Sequence, residues 1–564
     1  MDKTIAGNKF SDNKKNIAFL LVFAVSLCWI LFLPYTLRTH DSWFHLARIE
    51  AMVTAFKNGD WFPKIFPYMY EDFGYAISLF YSDFFMYIPA LLTFRGINVL
   101  TSYKIYLALV IIATVFSTYY CANKLLNDKF SAVITAMVYA GSSYFAVDMF
   151  IRGALGESQA FIFLPFALLG MYNAVYGDEN DRLPLIIGFG GLVLSHNLSL
   201  MLTAVLFAVF LVLNIGKLIK EPSRIFNIAR SSITVVFTTA FFLIPMVEQL
   251  LTEKFFSSYH ARIWNPGKAA IRIRNLFVGA NLTEESVFTP SLGITILVAI
   301  IICLTLFFKK PKTDLHKFFT LSMLGLFACL FACTSLFPWW PLDPYLNIIQ
   351  FPSRFYMYVT LFAAFCLGIW CSVNINKLNN KKKAVITLVV AIICSVQFSV
   401  TTYQGWQIAV DEGRTITDTS ALILWDENYL HANNNRQLWR ERENYINTAR
   451  GVKSELEAEM TRDYYNRYIS YSGNTTDNSL EIAAIYFRGY RAVDGETGRE
   501  LEVYPSANGW LEVDIGAKDS GTIVVDYYGT AVQHISPYIT EISLILIAFR
   551  WGVKKKSEAG EKND

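Results

Sequence analysis

The chain has little charge for its length. Of its 564 residues, 17% are Asp, Glu, Lys or Arg, whereas 54% are hydrophobic and 16% are aromatic. A soluble domain averages about 25% charged residues, so most of this chain does not face water. Repeated apolar runs of roughly 17–25 residues, each long enough to cross a bilayer core, account for the excess. The composition therefore predicts a multi-pass membrane protein.

No hydrophilic segment holds a pair of cysteines. All eight cysteines fall inside apolar runs, which excludes the disulfide framework of a small secreted domain. Cys329 and Cys333, four residues apart on one predicted helix face, are interpreted as small core residues rather than as a metal or redox pair.

Several motifs of soluble catalysis are missing as well. There is no P-loop, no GxGxxG at a strand–helix junction and no HExxH, and the predicted cytoplasmic loops are too short for a nucleotide-binding domain. No nucleic acid partner is expected. Any activated donor is then used outside the cytosol, where nucleotide sugars and ATP are scarce, and a donor carried on a lipid fits that constraint.

The hydropathy pattern predicts about twelve transmembrane helices. They lie near 17–37, 100–121, 130–149, 158–176, 183–196, 198–216, 231–249, 290–308, 317–337, 355–375, 384–402 and 537–551. Asp83 and Pro89 interrupt a further apolar stretch, 77–94, which is predicted to be partly embedded or re-entrant.

Lysine and arginine gather in alternate loops, which sets the expected orientation. Basic residues precede the first span, fill the loops at 217–230, 309–317 and 377–383, and follow the last span at 554–556. Twelve crossings put all of them on one side. We expect that side to be the cytoplasm of a bacterial cell, with both termini inside.

The predicted fold is an all-α polytopic membrane domain at 1–402, an extracytoplasmic α+β domain at 403–535, and a final span with a basic tail at 536–564. In the middle domain, 433–460 is charged and predicted to be helical. The sequence of the second half of this domain predicts strands at 480–493, 499–505, 509–516 and 521–529, separated by turns that contain Gly, Asp and Asn.

Ionisable residues are costly near lipid and usually mark function. Here they lie at the predicted outer ends of spans, whereas a proton-coupled transporter keeps such groups near the midplane. They are Asp41, Asp83, Asp148, Arg152, Glu157, Glu248 and Arg354. The pattern predicts a polar cavity at the outer surface of the membrane.

The string THDSWFHLARIE, at 39–50, follows the first span. It predicts a helix capped by Thr39 or Asp41, running to about Lys57 and ending at Gly59. The helix is expected to lie along the membrane as an amphipathic helix, with an apolar face of Leu46, Ile49, Val53 and Phe56. A carboxylate held at this boundary, Asp41, can accept a proton from a hydroxyl; the alternative is that it only caps the helix.

Three arginines are candidates for binding phosphate, because a guanidinium group matches phosphate geometry. Arg152 lies in DMFIRGALGE, Arg262 in the basic stretch HARIWNPGKAAIRIRNLF, and Arg354 in the aromatic stretch that ends in IQFPSRFYMY. For Arg152 the alternative is an ion pair that seals a helix end. For the basic stretch it is nonspecific attraction to anionic headgroups.

His196 lies in the string SHN, at the predicted turn between two antiparallel helices. It is positioned to bind a metal together with His40, Asp41 or His45, although a turn histidine also serves as a plain hydrogen-bonding residue.

Together these strings resemble the GT-C superfamily of integral-membrane glycosyltransferases. Within it, the chain is most similar to the bacterial YfhO-like branch and its relatives labelled 6-pyruvoyl-tetrahydropterin-synthase-related membrane proteins, whose label implies no pterin chemistry here. The resemblance rests on HDSWFHLARIE, GDWFPKIFPYMYEDFGYAISLFY, IRGALGE, LSHNLSL and IQFPSRFYMY, in that order over the first 360 residues.

The resemblance implies a catalytic base in the first outer loop, at Asp41, and an assisting acid after the third span, at Glu157. Many relatives carry paired acids where this chain has His40 and Asp41, so a divalent metal stays an open possibility. The implied donor is a polyprenyl-phosphate-linked sugar, and the acceptor is a cell-envelope polymer, glycolipid or protein. The expected substrate-binding residues are His40, His45, Arg48, Asp83, Arg152, His196, Arg262 and Arg354.

Two other functions are compatible with the sequence. A flippase or exporter of lipid-linked saccharides also needs an outer basic cavity, but it requires a polar path across the membrane and no base at Asp41. A noncatalytic scaffold for envelope assembly would use 403–535 for binding, whereas in a transferase that domain would gate the site or hold the acceptor.

Overall fold

The computed structural model describes residues 2–257, 265–277, 290–375, 377–419, 428–433, 448–451, 457–473, 478–516 and 518–560. The chain forms two compact units. The first contains Met1–Leu46, Ile97–Val235 and Trp264–Ala421, and the second contains Ala47–Gly96, Val236–Ile263 and Leu422–Asp564. Neither unit is one continuous segment, unlike the three consecutive domains that the sequence predicts.

The first unit is mostly helical. In chain order, the helices of the described residues in both units are α1 Asp2–Ser26, α2 Ser42–Lys57, α3 Tyr87–Phe94, α4 Val99–Leu126, α5 Lys129–Ala140, α6 Ser143–Val147, α7 Leu155–Val175, α8 Leu183–Ser195, α9 Asn197–Leu213, α10 Ile215–Lys220, α11 Pro222–Thr238, α12 Ala240–Thr252, α13 Ile273–Phe277, α14 Ile294–Phe307, α15 Asp314–Cys333, α16 Trp339–Leu346, α17 Tyr356–Asn374, α18 Asn380–Asp411 and α19 Ala531–Gly560.

Close helix packing builds the centre of the first unit, where α4 packs on α5 and α7, α7 on α8, and α17 on α5 and α15. Glycine permits the closest of these contacts, as is common between membrane helices. A Cβ at Gly170 of α7 would lie 2.5 Å from the backbone of Leu185, and one at Gly188 of α8 would lie 2.4 Å from that of Ala167. The two helices therefore approach each other backbone to backbone.

Six helices among the described residues are long and apolar enough to cross a membrane, or up to eight if two bent helix pairs each count as one span. The bent pairs are Lys129–Ala140 with Ser143–Arg152, and Pro222–Thr238 with Ala240–Thr252, and four shorter apolar helices accompany them. The chain is thus a multi-pass membrane protein by helix length and composition. A total of twelve spans stays a prediction.

The first and the eleventh predicted spans end at other residues than the helices that the structure shows there. Helix α1 ends at Ser26, a 3₁₀ turn follows at Trp29–Phe32, and α18 continues past the predicted end at 402 to Asp411. The chain beyond each helix forms a two-stranded antiparallel ribbon of β1 (Thr36–Leu37) and β2 (Thr415–Ile416). This ribbon joins segments that are far apart in sequence.

The second unit carries a nine-stranded antiparallel sheet. Its strands are β3 Thr448–Gly451, β4 Glu457–Arg462, β5 Arg467–Ser472, β6 Ser479–Ile485, β7 Tyr490–Asp494, β8 Glu500–Leu501, β9 Val503–Pro505, β10 Trp510–Asp514 and β11 Ser520–Tyr527. The order is β8-β7-β11-β5-β4-β3-β6-β10-β9. Because β8 and β9 are consecutive, the stretch 500–505 pairs with β7 on one side and with β10 on the other, so the sheet closes on itself like a barrel.

The strands predicted in the second half of this domain are confirmed, at β6 to β11. The helix predicted over 433–460 is wrong where the structure describes it, because Thr448–Gly451 and Glu457–Arg462 are strands. Pairing with β5 and β6 overrides the helical propensity of these residues. Residues 434–447 and 452–456 lie outside the described chain.

The stretch 77–94 forms no continuous helix of span length. It consists of 3₁₀ turns at Ile77–Leu79 and Phe84–Met86 followed by α3. The break falls at Asp83, in agreement with the interruption that the sequence predicts there.

Candidate active site

The loop before α2 is fixed by a reciprocal cap. The Ser42 amide donates to Thr39 Oγ1 over 3.1 Å, the Thr39 amide donates to Ser42 Oγ over 3.0 Å, and the Ser42 hydroxyl donates to the carbonyl oxygen of Leu37. Thr39, one of the two predicted capping candidates, thus accepts a backbone amide at the start of the helix. Capping by Asp41 stays a prediction. The cap holds His40 and Asp41 between two tied residues.

Helix α2 ends at Lys57, and Gly59 follows at φ +85°, as predicted. The predicted apolar face is also confirmed, since its four members are buried. Two polar residues of this helix are buried as well: His45 is 2% exposed and Arg48 only 1%. An ion pair with a carboxylate explains why Arg48 tolerates burial.

That ion pair joins Arg48 and Asp83 within the second unit. Arg48 Nε donates to Asp83 Oδ1 over 3.2 Å, and its Nη2 donates to the same oxygen and to the carbonyl oxygens of Tyr81 and Ser82. Ser78 donates to the other carboxylate oxygen. Two residues predicted to bind substrate are thus engaged with each other, and their role in binding stays a prediction.

A π-helical turn at Asp148–Arg152 follows α6 and ends at Gly153, whose φ of +65° is left-handed. A Cβ on this glycine would lie 2.0 Å from Thr39 Oγ1 and 3.1 Å from the Ser42 amide. The backbone of the capped loop therefore lies directly against Gly153, and the Asp41 amide donates to the carbonyl oxygen of Arg152 over 3.0 Å. Only glycine meets both requirements, for conformation and for space.

Beneath this contact lies a cluster of two carboxylates and two guanidinium groups. Arg152 Nη1 lies 2.6 Å from Asp148 Oδ1 and 3.0 Å from Glu157 Oε2. Arg354 Nε lies 3.4 Å from Glu157 Oε2. The carboxylates are 0% and 1% exposed, and the four formal charges sum to zero. Burial of a carboxylate without compensation would be costly, and each carboxylate here contacts at least one guanidinium group.

Neighbouring groups complete the hydrogen bonds of the cluster. The Tyr144 hydroxyl donates to Glu157 Oε1 over 2.6 Å and accepts from Arg152. Arg354 Nη1 donates to the Ile349 carbonyl and to Gln350 Oε1. Two of the three arginines predicted to bind phosphate, Arg152 and Arg354, thus already contact protein acceptors.

His196 lies close enough to Glu157 and Arg354 to interact with them electrostatically. Its Nδ1 is 2.7 Å from Ser199 Oγ, and the Ser199 carbonyl accepts from the Tyr358 hydroxyl. The turn histidine therefore joins a hydrogen-bonded network, which was the alternative interpretation of its role.

A cavity of about 710 Å³ lies beside the capped loop, lined in part by Arg38, His40, Ile151, Ile408, Glu412 and Arg414. The pKa of His40 is lowered from its usual value, first by loss of water around the ring and then by the positive charges of Arg152 and Arg414. The imidazole keeps an exposed edge, and the lowered pKa favours its neutral form.

No three His, Cys, Asp or Glu side chains lie close enough to hold a metal ion in the part of the chain that the structure describes. Metal binding by His196 together with His40, Asp41 or His45 stays a prediction. Arg262 lies outside the described residues.

Sequence reasoning missed Arg38 and Arg414 as neighbours. Arg414 was assigned to the outer domain, 376 positions further along the chain, and only the pairing of β1 with β2 brings it beside Arg38. Tyr144 was also missed, because a lone tyrosine inside an apolar run carries no signal of an acidic partner.

No family model matches the chain. An uncharacterized protein from Lactococcus lactis subsp. cremoris (strain MG1363) is 25% identical over 221 residues, which cover 37% of this chain and 36% of that protein. The similarity thus spans about a third of that relative.

Two solved structures show a coarse likeness. The arabinofuranosyltransferase AftD from Mycobacteria aligns at a TM-score of 0.40 and 12% identity, over 69% of this chain and 26% of that one. The archaeal oligosaccharyltransferase AglB from Archaeoglobus fulgidus, in complex with an inhibitory peptide and a dolichol-phosphate, aligns at a TM-score of 0.40 and 15% identity, over 71% of this chain and 56% of that one. Membership of the GT-C superfamily and of its YfhO-like branch stays a prediction.

Proposed function

We propose that this chain is a membrane glycosyltransferase that moves a sugar from a polyprenyl-phosphate carrier to a cell-envelope acceptor outside the cytosol. The observation that carries the proposal is the junction of the capped loop with the π-helical turn. It fixes Asp41 against Arg152, above a neutral cluster that includes Glu157 and Arg354.

In the proposed step, an acceptor hydroxyl attacks the anomeric carbon of the donor sugar. Its proton passes to the Asp41 carboxylate, a general-base role, while the bond from the anomeric carbon to the phosphate oxygen breaks. The polyprenyl monophosphate leaves with the bonding electron pair. A phosphate leaves without protonation, so no leaving-group acid is required.

Glu157 acts in this proposal by holding Arg152 and Arg354 in place. Either arginine meets the leaving phosphate only by giving up part of a carboxylate contact. Their main contribution is then electrostatic: fixed positive groups near the phosphate as its charge increases, with little reorganisation needed during the reaction.

The test is the isosteric change Asp41→Asn, with Asp178→Asn as the matched control on an exposed loop. Each variant is expressed in a strain that lacks the native protein, and the envelope glycan and lipid-linked sugars are compared. We expect Asp41→Asn to lower transfer by about 10²–10⁴-fold, the usual contribution of a general base, with an unchanged unfolding temperature. The control should match the unaltered chain.

Unchanged envelope glycosylation with Asp41→Asn would overturn the proposal. The exporter or the noncatalytic scaffold is then favoured instead, because neither requires a base at Asp41.

A further inference from the structure

The cavity beside the capped loop has two arginines at one end. In the antiparallel ribbon, Thr36 is paired with Ile416 and Leu37 with Thr415. The next pair is Arg38 with Arg414, and the Arg38 amide donates to the Arg414 carbonyl over 3.0 Å. Residues directly opposite in such a pair place their side chains on the same face.

Two like charges opposite each other destabilise a ribbon. Arg38 lies over the ring of Trp43, 5.2 Å from its centroid. Arg414 forms an ion pair with Glu412. Glu412 is the one carboxylate among the residues that line the cavity, beside two guanidinium groups, and this excess of positive charge favours an anion.

The other arginines near Asp41 are poor competitors for that anion. Arg152 contacts two carboxylates, and Arg354 contacts Glu157 and two further acceptors. Because Arg414 pairs with one carboxylate and Arg38 lies over an aromatic ring, they bind a phosphate with less loss of existing contacts. A planar guanidinium group is suited to bidentate phosphate binding.

The opposite wall of the cavity is apolar. Ile151 comes from the π-helical turn, while Ile408 and Ala409 come from the end of α18. Helix α18 is a candidate membrane span, and only 17% of its most apolar window is covered by protein. A ligand in the cavity thus meets both cations and apolar side chains, within a volume typical of small-molecule sites.

We propose that Arg38 and Arg414 bind the phosphate of an isoprenoid phosphate in this cavity, with its first isoprene units against Ile151 and Ile408. The inference rests on the proposed function and names the residues that hold its donor. Arg152 and Arg354 keep their electrostatic role within the cluster, held by Glu157, and make no direct contact with the bound phosphate.

The test measures binding by the full chain in nanodiscs of phosphatidylcholine, which has no net charge. The probe is farnesyl phosphate, and farnesol and inorganic phosphate are the comparison ligands. We expect farnesyl phosphate to bind at least tenfold more tightly than either, with an affinity that falls as salt increases. Equal binding of farnesol would reveal a purely apolar site, and equal binding of inorganic phosphate would reveal a free-phosphate site; either result overturns the proposal.

The decisive variant is Arg38→Gln with Arg414→Gln, matched by Lys309→Gln with Lys310→Gln, which removes two charges from an exposed loop. The first pair should weaken binding of farnesyl phosphate tenfold or more, and the control pair less than twofold. Unchanged binding by the first pair overturns the assignment. If that variant does not fold, Arg38→Lys with Arg414→Lys decides: it keeps the charge but loses the bidentate geometry, and binding within twofold of the unaltered chain contradicts the assignment.

Asp41→Asn separates this inference from the proposed function. It should bind farnesyl phosphate normally while transfer is lost. If transfer depends on Asp41 but the arginine variant binds normally, only the cavity assignment fails. If the arginine variant loses binding but Asp41→Asn retains transfer, the glycosyltransferase proposal fails and the lipid-phosphate site stands.

Discussion

The Asp41 amide donates a hydrogen bond of 3.0 Å to the carbonyl oxygen of Arg152. This bond joins the loop after the first predicted span to the turn after the third. The position of Asp41 therefore depends on the backbone at Arg152 and Gly153 as much as on its own helix. Changes in that turn should affect transfer without touching any ionisable group.

Gly153→Ala is the direct test of this dependence. A new Cβ meets Thr39 Oγ1 at 2.0 Å, so the capped loop must move away. A displacement of about 1 Å in a catalytic group can lower a rate by about 10²-fold, and we expect a loss of transfer on that scale. Transfer is measured beside the unfolding temperature of the purified protein.

Gly96→Ala is the matched control. Gly96 also has a positive φ, at +96°, but a Cβ there meets nothing within 4 Å. Both variants incur the backbone strain of about 1–2 kcal/mol, and only Gly153→Ala displaces the loop. Equal losses of transfer in the two variants would show that the contact with Thr39 has no special role.

In the cluster of two carboxylates and two guanidinium groups, a second substitution should restore the stability lost by a first one but not the transfer activity. Glu157→Gln leaves two guanidinium groups with one carboxylate, and an uncompensated buried charge costs about 3–5 kcal/mol. Adding Arg354→Gln restores neutrality, so the double variant should unfold closer to the unaltered chain. Transfer should stay low in both, because Arg152 has lost a carboxylate that positions it.

Thermal unfolding and transfer, measured for both single variants and for the double variant, form a complete cycle. Additive effects on the unfolding temperature would contradict the 3.4 Å contact of Arg354 with Glu157. Recovery of both stability and transfer would show that the cluster is only structural.

The sequence predicted most helices and the strands β6 to β11, because the spacing of apolar residues and the presence of turn residues are local signals. It also put Asp41, Arg152 and Glu157 at the same predicted ends of their spans. A backbone hydrogen bond joins Asp41 to Arg152, and a shared site of the three residues stays a prediction. It did not predict the ribbon that pairs Arg38 with Arg414, since two-residue strands separated by most of the chain leave no periodic signal. The strands at 448–451 and 457–462 were missed because their pairing partners, not their composition, decide their structure.

The sequence did not predict the burial of Arg48 in α2, for a related reason. Charge on a helix usually indicates exposure, but Arg48 has a partner, Asp83, in a segment that follows the helix. Arg48→Met alone should therefore lower the unfolding temperature strongly, because Asp83 is left buried and unpaired; breaking such a pair costs about 3–5 kcal/mol.

Arg48→Met with Asp83→Asn should recover part of that loss, because the unpaired charge is removed. The measurement is thermal unfolding in detergent, with transfer assayed in parallel. If either single variant lowers transfer while the unfolding temperature stays unchanged, the substrate-binding role predicted from the sequence is favoured over a structural role.

The lowered pKa of His40 predicts that the stability of the folded chain depends on pH. Loss of water around the ring and the charges of Arg152 and Arg414 lower its pKa in the folded chain below the usual value of 6.5. The unfolded chain then binds the proton more readily, so folding is destabilised as pH falls from about 6.5 towards the folded-state pKa. His40→Gln cannot take up the proton, and its unfolding temperature should fall less over this interval. Arg414→Gln should also reduce the fall, because it removes one of the charges that lower the pKa. An identical decline in the unaltered chain and in His40→Gln would assign the acid sensitivity to other groups.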